Sequence, residues 1–349
     1  MRIREVIEKV QRGGSLTREE ARAVMELLLS GTVPDEQIVS LLVALRDRGE
    51  TPGEIIGFAE VMRAQAQEVL REAGVDPSAL SAAGPLLDTC GTGGDGKGTF
   101  NVSTAAALVA AGARARVAKH GNRSISSRAG SADVLEALGV EINLPLDHIP
   151  ACLDKVGIVF LFAPHLHLAM KHVMPARRRI KSKTIFNLLG PLTNPLGASM
   201  QLAGVYDSAR TEMMAEALGA VGVRRALVVA ASDGMDEITI SGPTRLSELN
   251  SEGVKTGEIF PEDFGLARAD AAQLVGGNPA DNARLLRRVL EGERGPARDC
   301  VLANTAAALV AAERAGNWQE GVGLAEEAID SGAAARVLTR LVEFTRNHR

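Results

Sequence analysis

The residues best suited to chemistry lie in two stretches. The first runs from Asp88 to Ser131. It opens on a short apolar segment, continues through Gly91, Gly93, Gly94, Gly96 and Gly98, and then reads Asn101-Val102-Ser103-Thr104. A second apolar segment, Ala115 to Ala118, leads into Lys119-His120-Gly121-Asn122-Arg123. Glycine permits positive φ and lets a ligand approach the backbone closely. Free amides in such a loop and at a helix N-terminus attract anions, lysine adds charge, and arginine grips phosphate bidentately. The sum describes a cradle for a ligand carrying several phosphates. The second stretch, Ser232-Asp233-Gly234-Met235-Asp236-Glu237, puts three carboxylates on one loop. Such a group holds magnesium beside phosphates, although an ordinary acidic turn has the same spacing.

Other chemistries fit less well. Gly91, Gly93 and Gly96 satisfy G-x-G-x-x-G, but a dinucleotide site needs an acidic residue about 20 positions on, where Lys119 and His120 stand instead. No Gly-Lys-Ser/Thr follows the loop, so the P-loop pattern fails too. A purely structural glycine turn remains an alternative. A third basic run holds His167, Lys171, Arg177, Arg178 and Arg179. On composition, ligand contact and a solvated helix face explain it equally.

The elements that must position these residues follow from pattern. Strand, glycine loop, Ala/Val-rich buried helix, strand and basic loop succeed one another. Both loops therefore belong at the carboxyl ends of neighbouring parallel strands. Helices are expected at Ala132–Leu138, from about Ser208 to Val221 and from about Asp299 to Ala315. Strands are expected at Ile158–Phe162, Gln201–Val205 and Arg225–Ala230. Ala163-Pro164-His165 reads as a loop, and Asn187 to Pro195 as a rigid, turn-rich connection. The fold class is α/β: a mostly parallel central sheet flanked by helices, spanning 74–349. Residues 1–73 read as a small helical domain, with the segment near 167–185 joined to it. Capping boxes are expected at Thr17/Glu20, Thr32/Asp35 and Thr51/Glu54, with Pro34 and Pro52 in first turns. Gly74 to Pro85 reads as a linker.

Composition sets the bounds. The 349 residues are 46% hydrophobic, enough for a sizeable core. A net charge of −4 and 3% aromatic content argue against nucleic-acid binding. Cys90, Cys152 and Cys300 are odd in number and widely spaced, which suggests neither a disulfide framework nor zinc, but a reducing cytoplasm. Cys90 reads as a small core residue. The first residues resemble neither a signal peptide nor a membrane span.

These motifs together resemble the anthranilate phosphoribosyltransferase family over nearly the whole chain. They are GTGGD at Gly91–Asp95, NVST at Asn101–Thr104, KHGNR at Lys119–Arg123, FNLLGPLTNP at Phe186–Pro195, Asp236-Glu237, and PEDFG at Pro261–Gly265. Pyrimidine nucleoside phosphorylases share the glycine and basic loops in looser form, so FNLLGPLTNP is the more specific mark. The resemblance implies a magnesium-dependent homodimer that transfers the phosphoribosyl group of 5-phosphoribosyl 1-pyrophosphate (PRPP) to anthranilate in tryptophan biosynthesis. It further implies that Gly91, Gly94, Asp95, Thr99, Asn101, Val102, Ser103 and Thr104 line the PRPP site. Lys119, His120, Gly121, Asn122, Arg123, Ser124, Ile125, Ser126, Ser127 and Ser131 would complete it. Ser103, Asp236 and Glu237 would address magnesium. Gly91, Asn122 and Arg177 would contact anthranilate, with His120, Pro164 and His167 nearby. Leu168 stands where proline is common, and Arg179 to Lys183 replace a Glu-Leu-Gly-type stretch. Nucleoside phosphorolysis and a phosphoribosyl-ligand sensor without chemistry are the rival readings.

Overall fold

A computed structural model describes residues 2–124 and 128–348. Ile125, Ser126 and Ser127, expected in the PRPP site, lie outside the described residues. The chain begins with α1 (Ile3–Gln11), α2 (Arg18–Leu29), α3 (Asp35–Arg48) and α4 (Pro52–Glu72). Capping boxes form at Thr17/Glu20 and Thr51/Glu54. Glu54 does more than cap. It is fully buried, accepts from Leu16 N and Thr51 N at 2.9 Å each, and pairs with the Arg48 guanidinium. A buried carboxylate needs that many partners to offset its desolvation. The third expected box does not form. Pro34 is itself the N-cap of α3, which leaves Thr32 too far back, and its hydroxyl bonds Ser30 at 2.7 Å instead. The expected linker also folds in part, as α5 (Pro77–Ala82), because Asp76 caps Ser78 N.

The α/β region continues with β1 (Leu87–Asp88), α6 (Val102–Gly112), β2 (Val117–Gly121), α7 (Ser131–Leu138), α8 (Ile149–Val156), β3 (Ile158–Phe162), α9 (Ala163–Leu166) and α10 (Met174–Arg179). After it come β4 (Met200–Gly204), α11 (Thr211–Ala220), β5 (Arg225–Ala231), β6 (Thr244–Asn250), β7 (Gly253–Ile259), α12 (Pro279–Leu290), α13 (Pro296–Ala311), α14 (Trp318–Asp330) and α15 (Ala333–Asn347). Several boundaries shift by a few residues, and two differences from expectation bear on the site. β2 extends through Gly121, so Lys119 and His120 lie in the strand rather than in the loop. Ala163-Pro164-His165 opens the short helix α9, with proline in its first turn, where it needs no N–H partner.

The sheet order is β3-β2-β1-β4-β5-β6-β7, parallel from β3 to β5 and antiparallel beyond. From β1 the chain steps outward to β2 and β3, then returns to the other side of β1 for β4 and β5. A doubly wound sheet opens for ligands at such a reversal, outside the carboxyl ends of the two strands. The core explains why this edge is firm. Alternate residues of β5 point to opposite faces: Leu227, Val229 and Ala231 join the helices α6, α13 and α15, while Ala226, Val228 and Ala230 join α11. The second of these clusters also contains the buried faces of α1 to α4, with Val173, Ala176, Ile185 and Phe186.

Candidate functional site

The site grows from the reversal point. Leaving β1, the glycine loop lies directly against the end of β4: Thr92 N donates to Gly204 O at 2.8 Å, and Tyr206 N donates to Thr92 Oγ1 at 3.2 Å. On its other side Gly204 meets the backbone of Asp236, which leaves no room for a side chain. A Cβ there would fall 1.4 Å from Asp236 O. The loop following β5 is thus packed under the glycine loop. Gly93 N donates to Asp236 Oδ2 at 2.7 Å, and Ser103 N, at the start of α6, donates to Glu237 Oε1 at 3.2 Å. Gly93 and Gly94 have φ of +63° and +75°, which side chains rarely adopt.

The charge beneath the loop is mostly negative. Burial first, then neighbouring carboxylates, hold both Asp236 and Glu237 well above the usual carboxylate range. Asp95 adds a further carboxylate, whose buried Oδ2 has no hydrogen-bond partner among the described residues. Lys119 is the buried counter-charge. Only 3% exposed, it donates to Thr89 O at 3.1 Å, Thr89 Oγ1 at 3.0 Å and Ser103 Oγ at 3.4 Å. Lys183 reaches the rim, its Nζ 3.4 Å from the centre of the Tyr206 ring. Carboxylates and a hydroxyl are the oxygen donors a hard cation takes. Among the described residues no three His, Cys, Asp or Glu side chains gather to enclose a metal alone. Magnesium needs only one or two protein carboxylates when phosphates and water complete its shell. Asp233 takes no part: its Oδ2 accepts from the hydroxyls of Thr239 and Ser241, the latter at 2.7 Å.

The basic loop is a separate part of the edge. Arg123 does not offer a free guanidinium, because Asp133 and Glu136 of α7 pair with it. Asp133 also accepts from Ser124 N at 3.0 Å and Gly130 N at 2.8 Å, and Ser131 Oγ donates to Asn122 O at 3.3 Å. Below, Asp88 is fully buried between His120 N at 3.2 Å and Asn194 Nδ2 at 2.8 Å. Burial pushes its carboxyl up to about 6 against the pull of Lys119. Asn194 also donates to Ala118 O at 2.8 Å, and Gln201 Nε2 donates to Pro191 O at 2.8 Å, so the Phe186–Pro195 segment braces β1, β2 and β4. His120 Nδ1 lies 3.2 Å from Gly190 O, and its Nε2 lies 3.2 Å from His167 Nε2. Burial lowers the pair to about 4 and about 3, so both rings are neutral near pH 7.

The three consecutive arginines separate cleanly. Arg179 is exposed and pairs with Glu36 at 2.9 Å, and Arg178 is exposed. Arg177 turns inward over Phe186, its guanidinium carbon 4.9 Å from the ring centre, with Met174 Sδ 3.8 Å from Nη1. Among the described residues it has no carboxylate partner, and burial lowers it to about 10. A desolvated guanidinium without a counter-ion is a receptor for an anion. Leu168, 54% exposed, stands beside this segment. Cys90 is buried, with burial pushing its thiol up, so it packs rather than reacts. Sequence reasoning named Asn194 and Lys183 only within the Phe186–Pro195 and Arg179–Lys183 stretches, with no role of their own, and passed over Gly204. Asn194 and Gly204 owe their roles to partners brought close by the fold, which no local spacing reveals.

Comparisons with known proteins show the family of the chain. A family described as "Glycosyl transferase family, a/b domain" matches residues 83–335, and "Glycosyl transferase family, helical bundle domain" matches residues 4–66. The anthranilate phosphoribosyltransferase of Symbiobacterium thermophilum is 51% identical over 340 residues, 97% of each chain. That of Moorella thermoacetica is 51% identical over 339 residues, again 97% of each. The crystal structure of anthranilate phosphoribosyltransferase from Thermus thermophilus superposes with a TM-score of 0.87 at 44% identity, covering 97% of this chain and 99% of that one. The Saccharomyces cerevisiae enzyme in complex with PRPP and Mg gives a TM-score of 0.87 at 29% identity, over 99% and 98% of the two chains.

Proposed function

The chain belongs to the anthranilate phosphoribosyltransferase family, and from that premise we propose how its cleft carries the reaction. The enzyme transfers the phosphoribosyl group of PRPP to anthranilate, giving N-(5-phosphoribosyl)anthranilate and pyrophosphate, a step of tryptophan biosynthesis. In our reading Gly91, Gly94, Asp95, Thr99 and the α6 N-terminus, Asn101 to Thr104, hold PRPP, with Lys119 to Ser127 and Ser131 completing the site. Ser103, Asp236 and Glu237 hold magnesium, which neutralises the departing pyrophosphate when bound. Asn122, Arg177 and the backbone of Gly91 receive anthranilate, Arg177 through its carboxylate. The enzyme works as a homodimer in the cytoplasm.

The observation that carries this reading is the junction of glycine loop and carboxylate pair at the sheet's reversal point, through Gly93 N to Asp236 and Ser103 N to Glu237. The reaction asks for positioning rather than a nucleophile. The bond from C1 of the ribose to the pyrophosphate oxygen breaks, the amine nitrogen bonds C1, and the amine gives up a proton to the departing pyrophosphate or to water. An aryl amine is weakly basic, so it arrives neutral. Two neutral histidines nearby leave Arg177 as the cation facing its carboxylate.

Calorimetry tests the junction. PRPP should bind tightly with magnesium present and at least about tenfold more weakly without it; equal affinities would contradict the reading. Gly94→Val should weaken PRPP about tenfold, whichever acceptor is present, because φ of +75° excludes valine. Unchanged PRPP affinity in a folded Gly94→Val protein would count against the cradle.

A pH test follows from the raised carboxylates. A carboxyl held above its unfolded value stabilises the fold while protonated, and this contribution is lost as pH rises through its folded value. Asp236 and Glu237 therefore penalise the metal-free protein toward alkaline pH, and magnesium bound to the ionised pair offsets the penalty. Magnesium should raise Tm more at pH 8 than at pH 5.5, as read by differential scanning calorimetry. Equal shifts at both values would refute the assignment.

A further inference from the structure

The second half of the glycine loop leans on a segment that carries none of the motifs. Phe100 N donates to Leu274 O at 3.0 Å, Gly276 N donates to Gly98 O at 2.8 Å, and Thr99 bridges Val275 in antiparallel fashion. Residues 274–277 belong to no sheet strand, so their position needs another anchor. Asn282, in the first turns of α12 and only 3% exposed, provides it. Its Oδ1 accepts from Gly277 N at 2.7 Å. Its Nδ2 donates to Asn101 Oδ1 at 2.9 Å. Asn101 in turn donates from Nδ2 to Ala129 O at 3.2 Å. The Asn101 amide thus accepts on one side and donates on the other, and it cannot flip without losing both bonds. Capping of α12 falls to Asn278, which leaves the Asn282 amide to this chain of contacts.

We propose that Asn282 is a positioning residue for PRPP: it fixes the glycine loop, the start of α6 and the backbone before Gly130 in one mutual arrangement. The proposal rests on the PRPP reading of the cradle. Asn282 acts through Asn101 and Gly277. Gly276 offers an independent handle on the same contact, since a Cβ there would lie 2.4 Å from Asn282 Oδ1 and 2.9 Å from Phe100 Cα. An open cleft of about 510 Å³ borders Asn282, between residues 275–277 and α12, so shortening its side chain leaves no sealed void.

Steady-state kinetics and PRPP calorimetry on Asn282→Ala, Asn282→Asp and Gly276→Ala test the proposal. Asn282→Asp is the sharpest probe: it keeps the acceptor for Gly277 N but sets an oxygen against Asn101 Oδ1. Both KM and Kd for PRPP should rise about tenfold in each variant, while KM for anthranilate stays within about twofold. PRPP constants within about twofold of wild type in folded Asn282→Asp and Gly276→Ala would overturn the proposal. So would equal increases for both substrates, or loss of folding in all three variants, because each would make Asn282 a residue of stability alone. Failure of the underlying reading looks different: the unaltered protein would itself not bind PRPP.

Discussion

A protein carrying Asp236→Ala and Glu237→Ala should fold normally and lose at least about a thousandfold in magnesium-dependent turnover. The magnitude follows from the role: a cation that stabilises the departing pyrophosphate contributes several kcal/mol, and about 4 kcal/mol is a factor of about a thousand. Folding should survive because these carboxylates cost desolvation that nothing nearby fully offsets; burial holds both above their ordinary range. Removing them relieves that cost, so Tm without magnesium should stay level or rise. The hydrogen bonds from Gly93 N and Ser103 N are lost, but both amides lie on the cleft edge where water replaces the acceptor. Near-normal rates at millimolar magnesium in the folded double variant would remove Asp236 and Glu237 from the metal site.

Arg177→Ala is the other large effect. A guanidinium facing a carboxylate makes a charge-assisted contact worth about 1.5–3 kcal/mol, so kcat/KM for anthranilate should fall about tenfold to a hundredfold. PRPP affinity should hardly change. The controls are built into the sequence. Arg178 is exposed, and Arg179 is exposed and paired with Glu36, whereas Arg177 sits over Phe186 with no carboxylate beside it among the described residues. Arg178→Ala and Arg179→Ala should therefore leave anthranilate kinetics within about twofold. If all three variants behave alike, the acceptor carboxylate binds elsewhere.

The arginines also show where sequence reasoning stops. Spacing marked the basic run but could not say which side chain faces inward, since that depends on Phe186 and on α3 packing alongside. The glycine loop, the helix after it and the parallel strands were legible because each makes a local physical demand: positive φ, a run of small apolar residues, or a continuous buried strand. The β6–β7 hairpin was not. β7 is a largely exposed, polar edge strand, so it has no hydrophobic signal to read. Thr32/Asp35 misled because a proline took the cap position the spacing assigned to threonine. Lys119 was legible as a charge but not as a buried donor to Thr89, because strand β2 runs further than its apolar residues suggest. The contacts of Asn194, a residue read only as part of the Phe186–Pro195 motif, and of Asn282 were invisible for another reason. Asp88 lies 106 positions from Asn194 and Asn101 lies 181 from Asn282, and an asparagine's role is set by what the fold brings to its amide.

The most direct measurement is turnover by the purified chain supplied with magnesium, PRPP and anthranilate, followed by the loss of anthranilate fluorescence. The signal should fall only when all three are present, with one pyrophosphate released for each anthranilate consumed. Unchanged anthranilate in the complete mixture, or phosphate-dependent cleavage of a pyrimidine nucleoside in its place, would contradict the assignment.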